Sequence, residues 1–328
     1  MMDDSASTPA SPLGDDLPPV QPPSAGFVVQ LFVVPALIVA AVVGVWALFG
    51  RLAAGEQNWQ RLVQDLDSPN PLVSKRAMFG LATLLDSDQR RGDAGQHLSM
   101  NPQIARALSA QFEKALDAAN RDEETLSQQV FLARALGLLD VSSATVPALT
   151  RGLDDRHDVE IRKGAVMSLA LIAGRALDRR EPLGPDAVEA LETLSHDSDA
   201  ALRRPAAFAL GLTPSPIAQQ RLEVLLEDAD QMTSVNAAVA LARQKSTAGM
   251  PVFVKALSVQ ANAQNGMEQQ ETLLIQKNVL KAVAELGQRF DEDDRSRLTQ
   301  LIAPFANDHR EPRIRIEAQG ALTALAGR

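Results

Sequence analysis

One pattern recurs through most of the chain and limits what it can fold into. An apolar residue is followed four positions on by a small or apolar one, and eight positions on by an aliphatic one. It reads Val73-Ala77-Leu81, Ile161-Ala165-Leu169, Leu202-Ala206-Leu210, Thr233-Ala237-Leu241, Ile275-Val279-Val283 and Ile314-Ala318-Leu322, with a poorer copy at Gln128-Leu132-Leu136. Spacings of four and eight put all three side chains on one stripe of a helix. The seven starts lie 55, 33, 41, 31, 42 and 39 residues apart, and a mean of about 40 is the period of repeats built from two helices each. A unit of that size exposes an apolar face it cannot cover alone, so neighbours must stack. The predicted fold is all-α: about seven helix pairs over residues 56–328.

Each patterned helix is preceded by another with its own apolar stripe, for example Val188, Leu191 and Leu194, or Leu298, Leu301, Ile302 and Phe305. Pro102, Pro147, Pro185, Pro216 and Pro251 are expected to start such helices, because a first helical residue has no use for its N–H. Asn101 and Ser215 stand as N-caps. Small middle residues such as Ala77, Ala165, Ala206, Ala237 and Ala318 allow close helix approach. Two connections are longer, Asp117–Glu124 and Val259–Glu271, and insertions in such arrays fall on one face.

The turns repeat as well. Asp67, Asp155, Asp197, Asp228 and Asp308 lie five or six residues before the start of a triplet, and Arg162, Arg203 and Arg315 directly follow a start. The segments Leu153-Asp154-Asp155 to Leu169 and Leu202 to Gly211 carry the pattern best. This resembles the HEAT repeat, particularly the bacterial type first associated with phycobilisome lyases. The resemblance covers about 270 residues, Gln57 to Gly327. It implies a right-handed α-solenoid whose second helices line a concave face. It also implies that the turn Asp and helix Arg residues form a ladder between repeats, with those positions alternatively available for binding on the concave face.

Before the repeats, residues 1–26 hold six prolines, four aspartates and no Lys or Arg. Such a segment cannot bury enough apolar area to offset ordering, and is expected to be a disordered tail. Phe27 to Phe49 are 23 residues without a charge, with Gln30 the one polar side chain. A helix of that length reaches about 35 Å, enough for a hydrocarbon core of about 30 Å. Residues 27–50 are therefore expected to form a single transmembrane helix, contacting the bilayer through 27–49. A cleaved signal peptide fits less well, because the preceding region is acidic and the apolar run too long. Arg51, Arg61, Lys75 and Arg76 follow the run, so the positive-inside rule puts the tail outside and the solenoid in the cytoplasm, at the cytoplasmic membrane.

Chemistry is sparse. No cysteine is present, which removes disulfides, thiolate metal sites and cysteine nucleophiles. His157, His196 and His309 fall in turns of different repeats, too far apart to share a metal. His97 lies in a polar loop without the geometry of a triad. The run Asp291-Glu292-Asp293-Asp294 lacks calcium-loop spacing and suits a helix start. Neither a phosphate loop nor a nucleophile motif occurs. A net charge of −9 with ten Phe, two Trp and no Tyr argues against nucleic acid as a partner. Arginine outnumbers lysine 25 to 7, which hints at a GC-rich bacterial genome. Arg175, Arg179 and Arg180, Arg203 and Arg204, and Arg310, Arg313 and Arg315 form basic clusters suited to ladder pairing or to an acidic partner. The sequence thus leads to the expectation of a membrane-anchored scaffold without cofactor or metal, docking a partner protein on its concave surface rather than acting as an enzyme. The resemblance implies one alternative, a HEAT-like lyase or other ligand-binding or enzymatic solenoid.

Overall fold

The computed structural model of the chain describes residues 26, 34–53, 59–118, 122–258 and 266–327. The chain divides into two units, Met1–Gln57 and Asn58–Arg328. All regular structure among the described residues is helical.

The first unit contributes helix α1, Val34–Ala53. Leu37, Ile38, Val39, Val42 and Val43 are each more than half exposed on it. Among the described residues no helix is long and apolar enough to cross a membrane. The transmembrane helix expected over 27–50 is therefore not found as such. The described helix begins only at Val34 and runs on through Arg51, while residues 27–33 and the tail before Gly26 lie outside the described residues.

In the second unit, fourteen described α-helices form seven pairs. They are α2 (Trp59–Asp65) with α3 (Pro71–Arg91), α4 (Pro102–Leu116) with α5 (Glu123–Gly137), and α6 (Ser142–Arg151) with α7 (Val159–Arg179). There follow α8 (Pro185–Leu194) with α9 (Ala200–Leu210), and α10 (Pro216–Leu225) with α11 (Gln231–Arg243). The last two are α12 (Met250–Ser258) with α13 (Gly266–Leu286), and α14 (Glu292–Asp308) with α15 (Pro312–Leu325). The first helix of each pair is called A below, the second B.

Local chemistry sets the starts. Asn101 and Ser215 accept backbone N–H bonds at the heads of α4 and α10, ahead of Pro102 and Pro216 at the first helical position. Pro71, Pro185 and Pro312 occupy that position in α3, α8 and α15. Asp158, Asp199 and Asp230 cap the B helices α7, α9 and α11. Pro147 departs from the expectation: α6 begins at Ser142, leaving the proline inside the helix. The ring removes the bond to the carbonyl of Ser143, an exposed residue whose carbonyl water can serve. The insertion expected over 259–271 is also shorter, since α13 starts at Gly266.

B helices stack on B helices from α5 to α15, and A helices on A helices except between α10 and α12, which barely touch. All triplet residues are buried except Val73, Gln128 and Leu322, which are partly exposed. The core they build divides within α11. Ala237, Ala240 and Leu241 pack with the preceding pairs, while Met232, Val235, Ala238 and Ala242 pack with the following ones.

Candidate interaction surface

The turn inside each pair is held by the residue after the triplet start. Ser74 Oγ donates to the carbonyl of Leu66, Gln129 Nε2 to that of Ala115, and Arg162 Nε to that of Leu153. Arg203 donates to the carbonyls of Asp197 and Ser198, and Arg315 to those of His309 and Arg310. Serine and glutamine thus clamp their own turn as arginine does. An arginine can do more, because its five donors form a rigid fork.

Arg162 Nη2 reaches Asp197 of the next pair at 2.5 Å, and Arg203 takes Asp228 of the pair after that with two bonds of 2.8 and 2.9 Å. Arg204 adds Asp230 at 2.6 Å and Glu271 at 3.2 Å, so one guanidinium touches pairs four, five and six. Burial would raise the carboxyl of Asp230, but bonds from Arg204 and Thr233 outweigh it and hold the pKa at about 2. Asp228 is lowered first by the Arg203 bonds, and Asp197 by Asp199 N–H and Arg162 against the opposing effect of burial.

The other expected ladder residues stand apart. Asp67 is bound by Gln111 and Lys114 of α4, each at 2.9 Å. Those bonds lower its pKa although burial pushes it up. Asp155 and Asp308 make no ion pair among the described residues. Arg315 closes its own turn, and no described pair lies beyond it. Where the ladder arginine is missing, a cation from the following A helix reaches back: Lys114 to Asp67, and Arg151 to Asp117 at 3.0 Å. On the opposite edge, Arg175 and Arg179 of α7 hold Asp140, with Arg175 also donating to the carbonyls of Gly137 and Leu139.

The histidines lie apart, as their turns require. His196 bonds Glu192 at 2.7 Å, and His309 stacks on Phe305. Burial lowers the pKa of His157. Asp291 caps α14 through the N–H of Asp294. Among the described residues no three His or carboxylate side chains gather as a metal site.

The helices approach each other through small residues that the triplet does not include. A Cβ on Gly137 of α5 would meet Ser168 Oγ of α7 at 2.5 Å, and one on Gly211 of α9 would meet the Ala240 Cβ of α11 at 2.4 Å. Both glycines lie nine residues after a triplet start, and their partners seven after the next. Ser168 uses the approach to donate to the carbonyl of Ala133 at 2.7 Å.

The sixth residue after each start points away from the core. It is Phe79, Arg134, Met167, Phe208, Val239, Lys281 and Gly320 in order. Phe79 is 77% exposed, Met167 50% and Phe208 36%. Leu138 and Leu171, four further along their helices, are also exposed. Arg243 lies over the Phe208 ring, 5.4 Å from its centre. Towards the C-terminus the same face is ionic, with Lys245 on Glu285 at 2.8 Å and Lys281 on Glu317 at 3.4 Å. Between α3 and α5 a cleft of about 640 Å³ opens, lined by Met78, Phe79, Leu126, Val130 and Phe131 with Lys75 and Arg134 at its sides.

No protein-family model matches this chain, nor does any curated protein. Solved structures do. A structure of Kap95p bound to RanGDP is similar over 86% of this chain and 43% of its own, at 14% identity and a TM-score of 0.50. The CpcE–CpcF complex of the phycocyanin lyase from Nostoc is similar over 82% of this chain and 95% of its own, at 17% identity and a TM-score of 0.46. A designed armadillo repeat protein in complex with the peptide (KR)4 is similar over 82% of this chain and 100% of its own, at 17% identity and a TM-score of 0.41. At such identities the likeness is one of fold. The second unit is a helical-repeat solenoid of the HEAT and armadillo type.

Proposed function

We propose that this protein is a non-catalytic scaffold, held at the cytoplasmic membrane through residues 27–49, whose solenoid docks a partner protein along its concave B-helix face. The observation that carries the reading is the row of exposed apolar side chains at equivalent places on that face, with Phe79, Met167 and Phe208 at its centre. Scattered exposed apolar residues need no explanation, but an aligned row of large ones marks an interaction surface. The uncharged run from Phe27 to Phe49 supports the anchor, and the basic residues after it support a cytoplasmic solenoid. An anchor would raise the local concentration of a partner at the membrane without requiring high intrinsic affinity.

The test uses the full-length protein in cells, with a photoreactive residue at Met167 or Phe208, and at Gln220 on the A-helix side as control. Capture of one stoichiometric protein from the first two positions and not from the third is expected. Recovery of only a small molecule or nucleic acid would replace the scaffold with a ligand-binding solenoid. Removing residues 27–49 should release the chain from the membrane fraction, and unchanged sedimentation would refute the anchor.

A further inference from the structure

The cleft between α3 and α5 differs from every other junction of B helices. Between α5 and α7, and between α9 and α11, a glycine brings two helices so close that no Cβ would fit. Between α3 and α5 the equivalent positions are Ala82 and Ala135, contacts are few, and a cleft of about 640 Å³ remains. That volume lies within the range of ligand sites. Its walls are two helical stripes. Lys75, Met78, Phe79 and Ala82 run along two turns of α3, and Leu126, Val130, Phe131 and Arg134 along more than two turns of α5.

The floor is apolar, and Phe79 is the most exposed large hydrophobic residue of the chain's described part. The charges at the sides are not equivalent. Glu160 at one end is engaged by Lys163 at 2.9 Å, and Glu123 sits in the first turn of α5, where the helix N-terminus offsets its charge. Lys75 and Arg134 have no ion-pair partner among the described residues. The charge left to meet an incoming surface is therefore positive, on a chain whose net charge is −9.

We infer that this cleft is the docking site for an acidic amphipathic helix of a partner protein. Apolar side chains on one face of that helix, spaced i, i+3, i+4 and i+7, would enter between Phe79 and Phe131, and its carboxylates would meet Lys75 and Arg134. Two parallel stripes about two turns long fit a helix better than an extended strand, because the cleft presents no free sheet edge. The inference rests on the scaffold reading and assigns it a particular groove and a particular partner chemistry.

The probe is a fluorescent synthetic peptide of about 18 residues with Leu and Phe at i, i+3, i+4 and i+7 and Glu elsewhere. It is titrated against the full-length chain in nanodiscs of zwitterionic lipid, beside a peptide with Lys in place of Glu. The acidic peptide is expected to bind at least about tenfold tighter than the basic one. Lys75→Glu with Arg134→Glu should remove that preference, and Phe79→Ala should weaken the acidic peptide by about tenfold or more. Equal binding of both peptides, or binding unchanged in the variants, overturns the inference. So does loss of the peptide to phosphatidylserine vesicles competing for the same residues, which would make the cleft a membrane contact. If the variants leave capture at Met167 and Phe208 intact in cells while peptide binding fails, the scaffold stands and only the groove assignment falls. Loss of that capture from the unsubstituted chain falls on the scaffold itself.

Discussion

Between α7 and α11 each helix pair holds the next at two levels, whereas between α11 and α15 the described contacts are of a different kind. In the first region Arg162, Arg203 and Arg204 run from one pair to the Asp residues of the next, and Gly211 lets α9 and α11 close on each other. In the second region Ser234 stands where the ladder arginine would be, and charges pair across the exposed B-helix face, Lys245 with Glu285 and Lys281 with Glu317. The acceptors of the first region are shielded, with the Asp228 side chain 8% exposed, while Lys281 in the second is 55% exposed. Shielded bidentate pairs fix geometry, and exposed single pairs contribute little. Because the core also divides within α11, the C-terminal pairs are free to open without the middle ones. The exposed apolar row belongs to the N-terminal and middle pairs, so the part suited to binding is also the part laced most tightly.

The largest effect expected on this contrast comes from Gly211→Val, which drives a side chain into Ala240 Cβ and Cα. Overpacking there should cost about 3 kcal/mol. Gly320→Ala on α15 meets nothing within 4 Å, so the gain in helix propensity should stabilise by about 0.5–1 kcal/mol. Thermal unfolding of the full chain measures both, and similar melting temperatures for the two variants would remove close approach as a feature of the middle region. A smaller difference separates Arg203→Met from Arg315→Met. The first strands the shielded carboxylate of Asp228 and frees two turn carbonyls, at about 2 kcal/mol. The second frees turn carbonyls alone, at about 1 kcal/mol. Equal losses in urea unfolding would mean that the bond between pairs adds nothing to the clamp within a pair.

The triplets made the stacking legible because burial of one helical stripe leaves a periodic mark, and Ile161, Ala165 and Leu169 show it without ambiguity. The ladder was legible only in part. An Asp five or six residues before a triplet identifies the turn, but whether an arginine reaches it depends on the next pair, which is why Asp67 is taken by Lys114 and Asp155 by none. Ser74 and Gln129 share the clamp with arginine through hydrogen-bonding capacity rather than charge, so a search for arginine misses them. The glycines at Gly137 and Gly211 leave a signal nine residues after the start, detectable once the copies are aligned on their triplets. The cleft left no mark. Lys75, Phe79 and Arg134 read as ordinary surface residues until the spacing of α3 and α5 sets them around one opening.

The smallest effect is also the most selective for the laced region. Asp230 caps α11 and binds Arg204, with its pKa held at about 2 against an ordinary 3.8. A folded-state pKa below the unfolded value gives stability that is present above about pH 4 and disappears as pH falls through 2. With screening at this partly exposed site, the contribution is about 1–2 kcal/mol. Asn caps a helix about as well as Asp, so Asp230→Asn removes the ion pair and keeps the cap. The urea midpoint of the variant should lie below that of the wild type at pH 7, and the gap should shrink by about half near pH 3. Asp308→Asn, in the pair without a lace, should move the midpoint by less than about 0.5 kcal/mol at either pH. A gap for Asp230→Asn that stays constant with pH would place its cost in the cap or in packing, and would erase the electrostatic distinction between the two halves of the stack.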